Sequence, residues 1–322
     1  MIQYIVILLD DTSVSFCHYC NKKQSNHLIP IETLKVGILY AMKENLNIQF
    51  VYPDYDLPKE YQTVIDSVDH TDIKPASLCV NADVVVFDNT SQLTDYSFCK
   101  KTMYVLRTDK KSFFLHINNV CSILNYIERL NIVFTDLTTF ADDSFEKYSE
   151  ALLTLSKRIE DIYISGKTVQ LNLLTDRIML TKMNNCGAGD SSITLAPDGK
   201  FYICPAFYVS NEEDDFGTQC ISIGDLKNGL SIKNPQLYKL DHAPLCRNCS
   251  AYQCKRCIWL NRETTYEVNT PSHEQCVIAH LERNASRKLL NSIRSHGTFL
   301  PDIETIKELT YLDPFEVIKD FE

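Results

Sequence analysis

The sequence predicts an α/β protein: a parallel sheet, closed or partly closed, with helices outside, followed by a loop-rich segment that a metal holds together. Three observations predict it. From Met1 to about Gly166, strand-like and helix-like segments alternate, as successive βαβ units require. The first strand, Gln3–Asp10, is a continuous apolar run fit for burial on both faces. From Thr181 to about Glu282 the alternation stops, cysteines become dense, and Gly, Asn, Asp and Pro become frequent. An open doubly wound sheet is the competing arrangement, and composition does not separate the two.

The elements follow in order. Glu32–Asn45 has helical spacing through Leu34, Ile38, Leu39 and Met42, with Pro30 ahead of it as a start signal. Asn47–Val51 reads as a strand and Glu60–Val68 as a helix. Ala82–Phe87 and Thr102–Arg107 read as strands, and Ser112–Glu128 as a helix. Leu130–Thr135 is a further strand, Ser144–Asp161 a long helix and Val169–Leu174 a last strand. This divides the chain into an α/β domain over residues 1–180, a cysteine-rich domain over 181–290 and a helical tail over 291–322. The loop-rich segment is too poor in apolar runs to hold itself together by burial alone, and a metal would supply the missing stability.

Bulk properties narrow the function. The 322 residues suffice for one large domain or two ordinary ones, and 44% hydrophobic with 23% charged content is that of a globular chain. The net charge of −10, with no run of Lys or Arg, argues against a nucleic-acid or acidic-membrane partner. It suits a partner carrying a basic segment, such as a peptide leader. No apolar stretch is long enough to span a bilayer, and the opening MIQYIVILLDD lacks the basic start and cleavage site of a signal peptide. A cytoplasmic location is the expectation. In a reducing cytosol the 13 cysteines point to metal ligation rather than a disulfide framework.

Seven of the cysteines fall in the loop-rich segment: Cys186, Cys204, Cys246, Cys249, Cys254, Cys257 and Cys276. Cys246–Cys257 contains two C-x2-C turns, each able to bring two thiolates to one metal or one cluster edge. Upstream, Pro197-Asp198-Gly199 is a hairpin turn whose second strand leads to Cys204. The spacing from Gly199 to Cys204 is G-x4-C. Four thiolates also suit tetrahedral zinc, so a zinc ribbon or knuckle stands as the alternative.

This order of cysteines resembles the SPASM domain of peptide-modifying radical S-adenosylmethionine (SAM) enzymes. That pattern is a cysteine, a G-x4-C, a compact four-cysteine block, a gap and a last cysteine; here the block has slightly shorter spacings. The resemblance implies one auxiliary [4Fe–4S] cluster on Cys246, Cys249, Cys254 and Cys276. It implies a second on Cys186, Cys204 and Cys257, which has an open iron, borrows Cys220, or is absent. The alternating region resembles the radical SAM partial (β/α) barrel. The family's C-x3-C-x2-C after the first strand is matched by Ser13, Cys17 and Cys20, with serine in the first position. Serine is a poor replacement for a thiolate, which counts against a cluster at Cys17 and Cys20 and against SAM as a cofactor. The family's Gly-Gly-Glu after the second strand is replaced by Pro53–Pro58, where Asp54 or Asp56 takes the acidic role or merely caps a turn. The whole chain is similar to the CXXX repeat peptide maturase group, through Ile5–Tyr19 and Ala41–Asp54.

The resemblance implies maturation of a ribosomally synthesised, cysteine-repeat precursor peptide, with auxiliary iron–sulfur clusters and a companion radical SAM enzyme. The alternatives are an active radical SAM enzyme using an atypical Cys17/Cys20 cluster and a zinc-stabilised binding scaffold. Cys79, Cys99 and Cys121 have no partner spacing and read as small buried hydrophobes. Tyr252 and Trp259, inside and beside the block, shield a cluster or fill a small core. Arg247, Lys255 and Arg256 balance thiolate charge, meet a carboxylate of a partner, or form a solvated face.

Overall fold

The computed structural model describes residues 1–13, 16–18, 23, 26–78, 82–209, 221–307 and 312. The chain divides into two compact units, each assembled from two stretches: Met1–Asp88 with Gly187–Lys239, and Asn89–Cys186 with Leu240–Glu322.

The first stretch contains β1 (Tyr4–Leu8), α1 (Ile31–Lys43), β2 (Asn47–Val51), α2 (Lys59–Ile65), β3 (His70–Pro75) and β4 (Val84–Phe87). The second contains β5 (Met103–Thr108), α3 (Lys110–Leu115), α4 (Ile117–Ile123), β6 (Arg129–Phe134), α5 (Asp142–Ile164), β7 (Gln170–Leu171) and α6 (Thr175–Met179). The third contains β8 (Ser192–Leu195), β9 (Phe201–Tyr202), α7 (Pro205–Val209) and a small hairpin of β10 (Gly224–Asp225) and β11 (Gly229–Leu230). The fourth contains α8 (Ile258–Thr265) and α9 (His273–Ser295).

In the first unit the strands pair in the order β4-β3-β2-β1-β8-β9. All neighbours are parallel except the last pair. β1 is central, with Tyr4 level with Asn47 on one side and Ser192 on the other. Its apolar sequence follows from that place, since every residue after Tyr4 is buried. Pro30 and Pro58 precede α1 and α2, where a missing N–H costs nothing. α1 buries Leu34, Ile38 and Ala41, while Leu39 and Met42, expected on its apolar face, are exposed. The hairpin expected at Pro197-Asp198-Gly199 joins β8 to β9. Gly199 takes φ 76°, and Asp198 Oδ1 accepts from Lys200 N at 3.1 Å.

In the second unit β5, β6 and β7 form a parallel run. Phe134 stacks edge-on against Phe113, Phe140 and Tyr148 beneath α5. α5 packs along α9, and Tyr148 Oη donates to Glu282 Oε1 at 2.6 Å across that seam. α9 starts at Ser272, whose hydroxyl accepts from Gln275 N at 3.3 Å.

The alternation of strands and helices expected from the sequence is present, with three corrections. β3 is an addition to the expected strands, because its residues are mostly polar. The helix expected over Ser112–Glu128 breaks at His116, whose imidazole lies 3.1 Å from Ser112 O and 2.9 Å from Thr90 Oγ1. The loop-rich segment ends earlier than expected, because α9 starts at His273 and runs to Ser295 as one helix. Among the described residues no helix is long and apolar enough to cross a membrane.

Candidate metal centre

Four of the seven clustered cysteines line one cavity in the second unit. Its volume is about 190 Å³, and it is bounded by Cys246, Cys249, Cys254, Cys276, His280 and Arg283 among others. Local turns present the thiols. The first C-x2-C closes through Cys249 N donating to Cys246 O at 3.0 Å. Ala251 N then donates to Cys249 Sγ at 3.4 Å, and the Arg256 amide likewise donates to Cys254. Lys255 and Arg256 both lie in the left-handed region, at φ 59° and 47°, a strained conformation for residues with a side chain. Cys276 comes from the first turn of α9, where its amide donates to Ser272 O at 3.2 Å.

The cavity disfavours free thiolates. Burial, and then the neighbouring Cys249, push the Cys246 thiol up to about 11, against the pull of Arg256. Burial likewise raises Cys254, with Cys246, Cys249 and Glu282 adding to the rise and the Arg256 amide opposing it. Without metal these thiols stay protonated at neutral pH, and a bound metal is what converts them to thiolates. Guanidinium groups are buried nearby. Arg256 is 0% exposed and Arg283 1%, with Arg256 Nε donating to Asn185 Oδ1 and Arg283 to Asn284 Oδ1 and Ser250 Oγ. Arg177 lies over the Tyr252 ring, 4.1 Å from its centre. Four thiols on one volume, with guanidiniums buried nearby, are a donor set that fits a thiolate-bound cluster.

Among the described residues no three His, Cys, Asp or Glu side chains converge closely enough to hold a single metal ion. What the four thiols share is a volume rather than a point.

The remaining cysteines are distributed differently. Cys186 lies alongside the block, its amide donating to Lys255 O at 2.7 Å, two residues before Cys257. Cys257 occupies the N-cap position of α8. Cys204 belongs to the first unit, between β9 and α7. Cys20, Cys79 and Cys220 lie outside the described residues, and Cys17 is half-buried. Cys99 is exposed and Cys121 half-buried, so neither is the fully buried hydrophobe expected. Of the basic spot, Arg256 is buried beside Cys246, whereas Arg247 and Lys255 are exposed.

The end of β1, where the resemblance would place the SAM cluster, is built otherwise. Ser13 is 2% exposed; its Oγ donates to Val51 O at 2.9 Å and accepts from Asp10 N at 3.1 Å. The hydroxyl ties β1 to β2 and does not fit the role of a cluster ligand. Asp54 and Asp56 are exposed. Tyr55 between them donates to Asp10 Oδ2 at 2.8 Å, and Tyr208 donates to Asp11 Oδ1.

Sequence reasoning misses these tyrosine–aspartate pairs, and it misses His280 and Arg283. The signal for the latter is present: Cys276, His280 and Arg283 are spaced as one helix face.

No known family model matches the chain, and no curated protein does. Solved structures share its fold. Hexahistidine-tagged anSMEcpe with bound AdoMet superposes with a TM-score of 0.62 at 12% identity, over 91% of this chain and 96% of that one. Native anSMEcpe with bound AdoMet and the Cp18Cys peptide gives 0.60 at 11% identity, over 90% and 99%. The complex with the Kp18Cys peptide gives the same values. At these identities the likeness is one of fold: a mixed α/β chain with a parallel sheet.

Proposed function

We propose that this chain matures a ribosomally synthesised, cysteine-rich peptide, and that Cys246, Cys249, Cys254 and Cys276 hold a [4Fe–4S] cluster in a SPASM-like segment spanning about residues 181–290. The observation that carries it is the cavity: four thiols on one volume, with buried guanidiniums around it. The volume favours a multi-iron cluster over zinc, whose thiolates lie about 2.3 Å from one ion and leave no space between them. The fold is that of a protein seen with AdoMet and bound peptides, which supports a peptide substrate. A net charge of −10 suits a basic leader segment.

In this reading each residue has a task. The four cysteines ligate, the amides of Ala251 and Arg256 donate to the sulfurs of Cys249 and Cys254, and Arg256 and Arg283 offset the thiolate charge. For Cys186, Cys204 and Cys257 three outcomes stand: a second cluster with an open iron, one completed by Cys220, or none. Bound clusters supply one-electron transfer, or at an open iron a place for a substrate thiolate. The seat of Ser13 supports assigning SAM cleavage to a companion radical SAM enzyme rather than to Cys17 and Cys20.

Anaerobic reconstitution tests the proposal. The expected result is about eight irons per chain for two clusters, or about four for the cavity alone, with no reductive cleavage of SAM. Zinc in place of iron would favour the binding scaffold. SAM cleavage lost in Cys17→Ala and Cys20→Ala would favour the active radical SAM enzyme.

A further inference from the structure

The face of α9 that carries Cys276 carries two more buried polar residues. His280 and Arg283 follow at spacings of four and three, on successive turns of one side of the helix. Cys276 is 8% exposed, His280 3% and Arg283 1%, and all three line the four-cysteine cavity. His280 Nε2 lies 3.5 Å from Cys249 Sγ, a sulfur presented by the C-x2-C turn and not by α9. Arg283 Nη1 reaches Ser250 Oγ at 3.4 Å, next to the same cysteine. Thus α9 brings one thiol, one imidazole and one guanidinium to a sulfur that another segment supplies.

We propose that His280 is a positioning residue for the cluster: it donates its Nε2–H to the Cys249 thiolate and thereby sets the cluster's reduction potential. This rests on the cluster reading above. A metal-bound thiolate carries no proton, so the hydrogen in a contact of this length belongs to the imidazole. The Ala251 amide is a second donor to the same sulfur at 3.4 Å. Hydrogen bonds to the sulfurs and net charge are the levers that set an iron–sulfur potential, and a donor stabilises the more negative, reduced state. The alternative is a histidine that only fills space between α9 and the turn, which would leave the potential unmoved.

The test is a redox titration of the reconstituted full chain, followed by electron paramagnetic resonance, with iron counted in every sample. His280→Leu removes the donor, and His280→Asn keeps a polar group too short to reach the sulfur. His280→Gln places an amide N–H close to the lost Nε2–H. The expected result is equal iron in all four proteins, a more negative potential in the Leu and Asn variants, and a return toward wild type in the Gln variant. Equal iron with an unchanged potential in the Asn variant overturns the inference. So does iron loss in all three variants, which would make His280 a ligand. A wild-type chain that takes up no iron overturns the cluster reading itself, a result distinct from the other two.

Discussion

The end of β1 and the four-cysteine cavity are both places where the resemblance puts metal, and they are built on opposite principles. At the end of β1 the polar groups are matched within the protein. Ser13 bonds to the backbone of Val51 and Asp10, Tyr55 to Asp10 and Tyr208 to Asp11. In the cavity, four thiols, the His280 imidazole and the buried Arg283 guanidinium line a volume of about 190 Å³. A buried polar group that is satisfied locally contributes to the fold, whereas thiols gathered around one volume are a donor set for a ligand. The difference teaches that two polar sites on one fold can differ in how far their groups are matched within the protein.

The comparison is broken most easily through the cavity. Cys254→Ala should remove one cluster, about four irons per chain. It should also lower the melting temperature, since metal binding to such a segment is folding energy. Iron analysis and thermal melts check both. A chelator should destabilise wild type and leave this variant's melt less affected.

At the other site, Ser13→Ala should cost about 1–3 kcal/mol by taking the acceptor from the Asp10 amide, while the Val51 carbonyl keeps its bond from Leu9 N. Iron content should stay the same; denaturant melts and iron counts together read this. Ser13→Cys should not bring SAM cleavage. If it does, the position is a ligand seat after all and the contrast fails.

Glu282 offers a smaller, pH-dependent effect. Burial pushes its carboxyl up to about 8, against the lowering effect of the Tyr148 hydrogen bond. In the unfolded chain it titrates near 4.5. Between these values the folded chain holds a proton that the unfolded chain has lost, so stability falls as pH rises from about 4.5 toward 8. Glu282→Gln should flatten that slope and melt higher than wild type at pH 8. The smallest effect expected is at Lys255, exposed and at φ 59°. Lys255→Gly should stabilise by about 0.5–1 kcal/mol by relieving the left-handed conformation.

Much of this is legible in the sequence, and the misses have physical causes. β2 has the bounds its sequence predicts, because a compact apolar alternation lies between Asn45 and Pro53. β3 escapes a reading by hydrophobicity because His70-Thr-Asp-Ile-Lys-Pro75 is a strand held by its neighbours rather than by its own apolar content. The break at His116 depends on a side chain bonding back to Ser112, which periodicity does not register. Cys246, Cys249, Cys254 and Cys276 line one cavity, the first three brought near one another by short turns within the block. That His280 and Arg283 line the cavity, and that Arg256 is buried beside it, escapes a reading of cysteine spacing. Their inward placement depends on the register of α9 and on two left-handed residues, and neither follows from spacing alone.

The most direct measurement is anomalous diffraction at the iron edge from crystals of the anaerobically reconstituted chain. An iron peak is expected inside the cavity, within bonding distance of the sulfurs of Cys246, Cys249, Cys254 and Cys276. A cavity without iron, or a single peak at the zinc edge in its place, would contradict it.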